Sequence, residues 1–424
     1  MPTDPRGLRD DAPLLDAWLR FHEEAPTPFT IPGHKQRLDL VGDVVAGDVP
    51  LFAGLDTMKL TRGVLGDAQD RAARLFGANL ARFSVGGSTH GNQALALAVG
   101  RPGDRVVVSR TLHRSMLLGL ALAGLEPVWV RPEVDPRHGL PIGVDPASVD
   151  AALTAAPDAV AVFVGEPSYV GTLGDVGALA EVSHRHDVPL VVDAAWGAHL
   201  GFHPALPPHA LAAGADALVT SVHKTLPAIS QGALVLARTG RIERSRFDAA
   251  IEATATTSPS GGILASVDAA RALMERDGEA LLGPVIDAVA AMRARLARIR
   301  GLVVLDGPDV DPLRLVLVLP GTGADGNAVE ADLLCHRMPV EMADRDTVVA
   351  MVTVADTPGR LGDLAVALAE SIDRHRGPAR PVRTSGVWAI EPVPALSPRQ
   401  AFFAARERVP VARAVGRVSA ELVA

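Results

Sequence analysis

Cysteine is nearly absent from this chain: Cys335 is the one thiol among 424 residues. No intrachain disulfide and no cysteine-based zinc cluster can form, and a reducing cytosol is the simplest setting for such a protein. Long apolar runs are also missing. The hydrophobic stretches are interrupted by Gly, Asp or His well short of the ~20 residues a membrane helix needs. The N-terminus, MPTDPRGLRDDAPLLDAW, carries acids and prolines where a secretory signal requires an unbroken apolar stretch. Basic residues form no dense stripe and the net charge is -8. That argues against a nucleic-acid partner, because phosphate backbones are bound by clustered Lys and Arg. Aromatics are few, which reflects genome composition and carries no functional message, and no fixed-period repeat is present.

Apolar residues make up 48% of the chain and charged residues 21%, the composition of a soluble globular protein long enough for two cores. From about Leu80 to Leu236, β-rich apolar runs alternate with segments of helical period. The runs are Ala81–Val85, Arg105–Ser109, Glu126–Val130, Ala159–Val164, Pro189–Asp193, Ala215–Ser221 and Gly232–Ala237. Between them lie His90–Val99, Ser115–Ala123, Val144–Ala155 and Asp175–His186. Such alternation implies an α/β fold: a doubly wound, mostly parallel sheet buried on both faces by crossover helices. After Gly261 the texture changes to a long helix near Gly278–Arg300, followed by short strands and helices of a smaller α+β domain. The expected division is an N-terminal arm over 1–55, a large α/β domain over 56–277 and a smaller C-terminal domain over 278–424. In the arm, Trp18 and Phe21 share a short helix before the irregular PTPFTIPGHKQR, a pattern suited to reaching across a subunit interface. Arg374–Arg383 reads as a solvated basic linker. The tail Ser397–Ala424 reads as helix packed on the smaller domain.

Five segments carry chemistry. In SVHKTLPAISQGALVL, Lys224 follows a buried strand, at the sheet end where open α/β folds place ligands. Desolvation there lowers an ammonium pKa and leaves an amine able to condense with an aldehyde. Ser221 and His223 beside it supply a phosphate donor and a second titratable group. In PLVVDAAWGAH, Asp193 closes another strand; its carboxylate is able to hold a heteroaromatic ring nitrogen protonated, or else to cap a helix. VGGSTHGN places two glycines and two hydroxyls, Ser88 and Thr89, at a helix N-terminus, an anion site that is neither a dinucleotide fingerprint nor a P-loop. In SRTLHRSM, His113 is free to stack on a flat ring or to stand exposed in its loop. TATTSPSGGILAS offers Thr257, Ser258 and Ser260 as a second phosphate-contacting turn, in this subunit or from a partner. The order is anion loop, histidine, aspartate, lysine, all at strand ends, which points to pyridoxal 5'-phosphate (PLP) bound to Lys224.

With these motifs the chain resembles the Orn/Lys/Arg decarboxylase major-domain family of fold-type I PLP enzymes, which have the aspartate-aminotransferase architecture. The likeness runs from about Leu14 to Leu422 through PFTIPGHKQR, GDAQDRAARLFGA, GGSTHGN, TLHRSM, EPSYVGTLGDV, VDAAWGAHLGFH, SVHKTLPAISQGA, TTSPSGGILASVD and AVGRVSAELV. The resemblance implies a Schiff base on Lys224, Asp193 on the pyridine nitrogen and His113 stacked on the ring. It implies Ser88, Thr89, Ser221 and His223 around the phosphate, with Ala195 and Trp196 lining the far side. Trp196 is as in the larger inducible members. Ser258 would approach a partner's phosphate, so a homodimer or higher homo-oligomer is implied. Two departures stand out. Family members continue into a PPG-type stretch after the segment matching GRVSAELV, and an acidic or aromatic residue often fills the place of Val170. The implied activity is α-decarboxylation of arginine, lysine or ornithine, with Glu341, Glu391 or Asp56 meeting the distal cation. Aldol cleavage, transamination, elimination or oxidation on the same scaffold, or PLP binding without turnover, are the alternatives.

Overall fold

The computed structural model describes residues 2–24, 30–49, 55, 63–383 and 393–419. In chain order, α1 (Pro13–Glu24) and α2 (Leu38–Val41) lead to α3 (Val64–Leu75). The α/β alternation then runs β1 (Leu80–Ser84), α4 (Gly87–Val99), β2 (Arg105–Ser109), α5 (Arg114–Ala123) and β3 (Glu126–Val130). A small hairpin of β4 (Glu133–Val134) and β5 (Pro141–Gly143) precedes α6 (Pro146–Ala155), β6 (Val162–Gly165), α7 (Val176–Arg185) and β7 (Leu190–Asp193). The large half closes with β8 (Ala217–Thr220), α8 (Val222–Thr225), β9 (Ala233–Ala237), α9 (Arg244–Thr254) and α10 (Gly261–Leu296). The smaller half comprises β10 (Val303–Val304), β11 (Arg314–Val318), α11 (Gly326–Cys335), β12 (Met342–Ala343), β13 (Thr347–Met351) and α12 (Pro358–Arg374), before the terminal α13 (Pro398–Phe403).

The main sheet has the order β1-β9-β8-β7-β6-β2-β3. Only β9 runs against its neighbours; the other pairings are parallel. The C-terminal ends of β1, β2, β6, β7 and β8 therefore open on one edge, where β9 begins. Side chains alternate between two cores, as period-two strands require. Leu190 and Val192 face the helices α3, α6, α7 and α10, while Val191 faces α4, α5 and α9. Helix α4 lies unusually close to the sheet: a β-carbon at Gly91 would stand 2.4 Å from Val219 Cγ2 and 2.8 Å from Val235 Cγ2. Glycine is the residue that permits this approach.

The smaller sheet, β10-β11-β13-β12, is antiparallel throughout. One face packs Leu315, Leu317, Val348 and Ala350 against α10, α11 and α12. The other turns Arg314 and Val316 toward the large sheet, where Val316 and Val349 meet Val170. The position of Val170 is thus a small apolar contact between the two halves, which accounts for an aliphatic residue there. Among the described residues, no helix is long and apolar enough to cross a membrane.

Three expectations are corrected. The helix expected from Gly278 begins at Gly261, with Ser260 as N-cap, and runs unbroken through Pro284. Gly261 and Gly262 look like a turn in sequence, but they serve as a close contact: a β-carbon on Gly262 would lie 2.5 Å from the Gly47 carbonyl oxygen. The basic connector is not simply solvated, since Arg380 pairs with Asp346 and donates to the Ala324 carbonyl at 2.6 Å. Among its described residues the tail is α-helical only over Pro398–Phe403, with a single 3-10 turn at Val411–Arg413, and it docks on α5, where Arg399 donates to the carbonyls of Ala121 and Leu122 at 3.1 and 3.0 Å. Beyond that helix, 404–419 is exposed apart from the half-buried Val409. At the other end, α1 packs on its own chain: the Leu14 amide donates to Asp268 Oδ2 at 2.9 Å, and Phe21 is buried.

Candidate active site

Asp193 ends β7 and is 6% exposed. Its Oδ2 accepts a 2.7 Å hydrogen bond from Asn92 Nδ2 on α4, and its Oδ1 accepts from the Ala195 amide at 3.2 Å. Burial pushes the Asp193 carboxyl above its ordinary range, while Asn92, His113, the Ala195 amide and Lys224 pull the other way. Asn92 also donates to Ser115 Oγ at 2.8 Å, and that hydroxyl stands 2.8 Å from His113 Nδ1. His113 is the N-cap of α5, accepting from the Ser115 amide at 3.2 Å. The imidazole is thereby set by the same network that holds the carboxylate.

Lys224 sits in α8, one turn beyond β8, and is half-buried. Its Nζ stands 3.8 Å from the ring centroid of Trp196. Burial lowers its pKa, Asp193 and Glu341 act to raise it, and Arg314 adds to the lowering. His223 Nδ1 meets the Gly232 carbonyl at 2.9 Å, tying α8 to the start of β9. The chain has three lysines in all, Lys35, Lys59 and Lys224. That scarcity is a signal in the sequence which narrows the candidates for an amine at a strand end.

The residues expected to meet a phosphate cluster at the start of α4. Ser88 Oγ and Ser221 Oγ are 2.5 Å apart, both buried, so the two loops present their hydroxyls as a pair. The Gly87 amide donates to the Gln231 carbonyl at 2.9 Å. Gly87 has φ +67° with open space where a side chain would be, and Gly86 has His90 Cβ 2.9 Å from its missing β-carbon. Thr89 is on the same turn and exposed. His90 is buried between Ser84 Oγ at 2.8 Å and the Ile251 carbonyl at 3.2 Å, which anchors the helix to α9. Ala195 is buried beside the half-buried Trp196. Ser258 lies apart, exposed in the turn before α10, with its amide on Thr256 Oγ1 at 3.2 Å. Ser260 Oγ donates to Asp48 Oδ1 at 2.9 Å. Glu341 reaches the mouth, where it accepts from the Tyr169 hydroxyl at 3.1 Å. Asp56 and Glu391 lie outside the described residues.

Sequence reasoning missed Asn92, Ser115, Tyr169, Arg314 and Glu166. Asn92 left one trace: a polar residue next to Gly91 on a helix face that must bury itself needs a partner. Arg314 comes from the smaller half, and its guanidinium carbon stands 4.5 Å from the Trp196 centroid, so nothing local in sequence links it to Lys224.

Residues 12–308 match the family described as Orn/Lys/Arg decarboxylase, major domain. The chain belongs to that family. The arginine decarboxylase of Halalkalibacterium halodurans is 32% identical over 433 residues, covering 98% of this chain and 88% of that protein. The arginine decarboxylase of Bacillus subtilis is 31% identical over 432 residues, with 97% and 88% covered. The solved lysine decarboxylase of Francisella novicida superposes with a TM-score of 0.74 at 19% identity, over 85% of this chain. This chain spans 59% of that structure's length, and the likeness shows the shared fold. The architecture is that of fold-type I PLP enzymes.

PLP is the cofactor of this family, and the residues present fit it. The paired hydroxyls of Ser88 and Ser221 at a helix N-terminus suit a phosphate dianion. The buried Asp193 carboxylate suits a cationic ring nitrogen, and the desolvated Lys224 amine suits a carbonyl carbon.

Two outcomes follow from this geometry. Asp193→Asn should keep the cofactor but lose turnover on the order of 10³-fold or more, because an amide cannot hold the ring nitrogen protonated. Steady-state kinetics with cofactor content measured by absorbance checks it, and near-normal kcat would make Asp193 a structural cap. The second outcome concerns Glu166, whose amide donates to the Asp193 carbonyl at 3.0 Å. Its side chain is buried with Oε2 on the Gly174 amide at 2.9 Å, and burial pushes its carboxyl up to about 8. An unfolded glutamate titrates near about 4.3, so the fold favours the protonated form. That contribution is complete below about 4.3 and is lost as pH rises through the folded value, at a cost of a few kcal/mol by about pH 8. Urea midpoints between pH 5 and 8 should fall less steeply in Glu166→Gln than in wild type, and equal slopes would contradict the assignment.

Proposed function

We propose that this chain removes the α-carboxyl group of L-arginine as carbon dioxide and releases the corresponding amine. The chain is a PLP-dependent lyase of the basic amino-acid decarboxylase family. The observation that carries the reading is the placement of a buried carboxylate, Asp193, and a desolvated amine, Lys224, on one sheet edge in front of Trp196. The near full-length likeness to two arginine decarboxylases supports the substrate. When bound, PLP supplies an electron sink for the pair left behind by the departing carbon dioxide.

The chain's own residues do the rest. Lys224 would hold the cofactor, and its lowered pKa leaves a larger fraction of neutral amine to do so. Asp193 keeps the ring nitrogen protonated, and Asn92 holds its carboxylate in register. His113, Ala195 and Trp196 would line the cofactor pocket, and Ser88, Thr89, Ser221 and His223 would hold the phosphate. After carbon dioxide leaves, Lys224 Nζ returns a proton to Cα. Glu341 meets the distal guanidinium at the mouth, with the Tyr169 hydroxyl fixing one carboxylate oxygen. The working form is a cytoplasmic homodimer or larger assembly of an arm (1–55), a large domain (56–277) and a smaller domain (278–424), with Ser258 near the partner's cofactor phosphate.

The test is a mass-spectrometric product assay with arginine, lysine, ornithine and norleucine at equal concentration, after borohydride reduction of a parallel sample. Agmatine from arginine, no amine from norleucine, and phosphopyridoxyl on Lys224 are expected. An apolar analogue offers the Glu341 carboxylate at the mouth no cation to pair with. Equal rates for norleucine and arginine, or label on another lysine, would overturn the reading.

A further inference from the structure

Behind the sheet edge that carries Lys224 lies a second cavity, of about 200 Å³. Val219 stands opposite Asp193 in the β7–β8 register, so Thr220, the next residue, turns to the other face of the sheet. Thr220 lines the cavity together with Glu166, which follows β6. The described lining includes neither Asp193 nor Lys224, and the sheet separates the two sites. Phe76, Leu173, Val176, Ala194, Leu200 and Leu218 give the cavity mostly apolar walls.

Two polar groups border this space without the partners that a closed interior demands. Thr220 is 1% exposed, and its hydroxyl makes no hydrogen bond. Glu166 is 5% exposed, and its carboxyl meets a single donor, the Gly174 amide at 2.9 Å from Oε2. Burial drives that carboxyl toward its neutral form, and no neighbouring cation opposes the effect. The other ionisable groups of the described lining are Asp175 and His209. Asp175 is exposed, with Oδ1 accepting from the Ala178 amide at 2.9 Å. His209 Nδ1 accepts from the Ala212 amide at 3.2 Å, and burial, reinforced by Arg238, pushes its pKa down to about 4, which leaves the ring neutral. No lysine or arginine is among the described lining residues. The cavity thus offers acceptors and carboxyl groups, and no cation of its own.

We propose that this cavity binds a primary alkylammonium ion, with the ammonium on Glu166 and Thr220 and the alkyl chain between the apolar walls. An ammonium has three donors and no acceptor, which suits a carboxylate oxygen and a hydroxyl lone pair that nothing else meets. An anion would be repelled by the carboxylates, and a neutral alcohol would leave Glu166 without a counter-charge. Size sets the chain length: a dry cavity of ~150 Å³ encloses benzene, so this one suits a chain of about four or five carbons. The amines released by amino-acid decarboxylation belong to the same chemical class, so the reaction itself generates ligands of this kind. The site is also close to the chemistry, because the Glu166 amide donates to the Asp193 carbonyl at 3.0 Å and Ala194 forms part of the wall. The proposal does not depend on which amino acid is the substrate.

The test uses the holoenzyme after borohydride reduction, so that an added amine has no cofactor carbonyl to condense with. Binding of n-butylammonium, 1-butanol and butyrate is measured by calorimetry for wild type, Glu166→Gln, Thr220→Val and Glu341→Gln. The wild type should bind n-butylammonium and neither of the other two. Affinity should fall by about tenfold or more in Glu166→Gln and by about three- to tenfold in Thr220→Val. Glu341→Gln should bind within about two-fold of wild type, since Glu341 stands at the other site. An ammonium favours the ionised carboxylate, so binding near neutral pH should release about one proton, read from the dependence of the heat on buffer ionisation enthalpy. For the same reason wild-type affinity should rise about tenfold from about pH 6 to about pH 7, and Glu166→Gln should show neither effect. No binding of n-butylammonium would make the cavity a solvent-filled space and overturn the proposal. Undiminished binding in both Glu166→Gln and Thr220→Val, or a loss confined to Glu341→Gln, would place the amine elsewhere and overturn it as well.

Discussion

A carboxylate enclosed at the edge of an apolar sheet organises much of this protein. Asp193 is almost out of contact with water, and a carboxylate in that position costs several kcal/mol unless hydrogen bonds meet it. Asn92 supplies the main bond from α4, and it can do so only if that helix lies close to the strands. Gly91, the preceding residue, allows the approach, because any side chain there would collide with Val219 and Val235. The other reach of Asn92, to Ser115, extends the network to the N-cap of α5 and to His113. One buried charge therefore sets the seating of a helix, the start of a second helix and the position of an imidazole.

The smaller half is attached to this edge by the loop after β6. The Asp311 amide donates to the Gly171 carbonyl at 2.8 Å, and the Leu173 amide to the Asp309 carbonyl at 2.9 Å. Thr172 and Val310 form an isolated antiparallel bridge. Val170 fills the apolar gap beside Val316 and Val349. Tyr169 leans on Trp196 with ring centroids 5.4 Å apart and bonds to Glu341. Within a few residues, this loop joins the Trp196 wall of one half to the smaller sheet of the other. The buried His199–Asp311 pair at 3.1 Å locks the contact further: burial pushes the Asp311 carboxyl up, and the adjacent histidine, the Leu313 amide and Arg314 together more than offset it, leaving the carboxyl low.

The seven apolar runs became the seven strands of the main sheet because strands buried on both faces leave little room for polar residues, so their ends are sharp in sequence. Strand ends are also where ligands bind in such sheets, which makes Lys224, Asp193 and the Ser88 loop legible from the order of residues alone. The failures share a cause. Gly261 and Gly262 carry turn chemistry, yet tertiary contact with the Gly47 region recruits them into α10. Arg380 carries linker chemistry, yet Asp346 and two nearby carbonyls draw it inward. In each case a long-range contact outweighed local propensity, and local propensity is what a short window of sequence reports.

The order of strands and helices, the cofactor class and the placement of Lys224 at a strand end were therefore determined by the sequence, since each depends on residues close together in the chain. The orientation of Asp193 through Asn92, the wall of Trp196 and Tyr169, and the arrival of Arg314 from the other half were decided by tertiary structure alone. Asn92 and Asp193, like Trp196 and Arg314, are separated by about a hundred positions or more, and only the folded chain brings them within hydrogen-bonding or ring-contact distance.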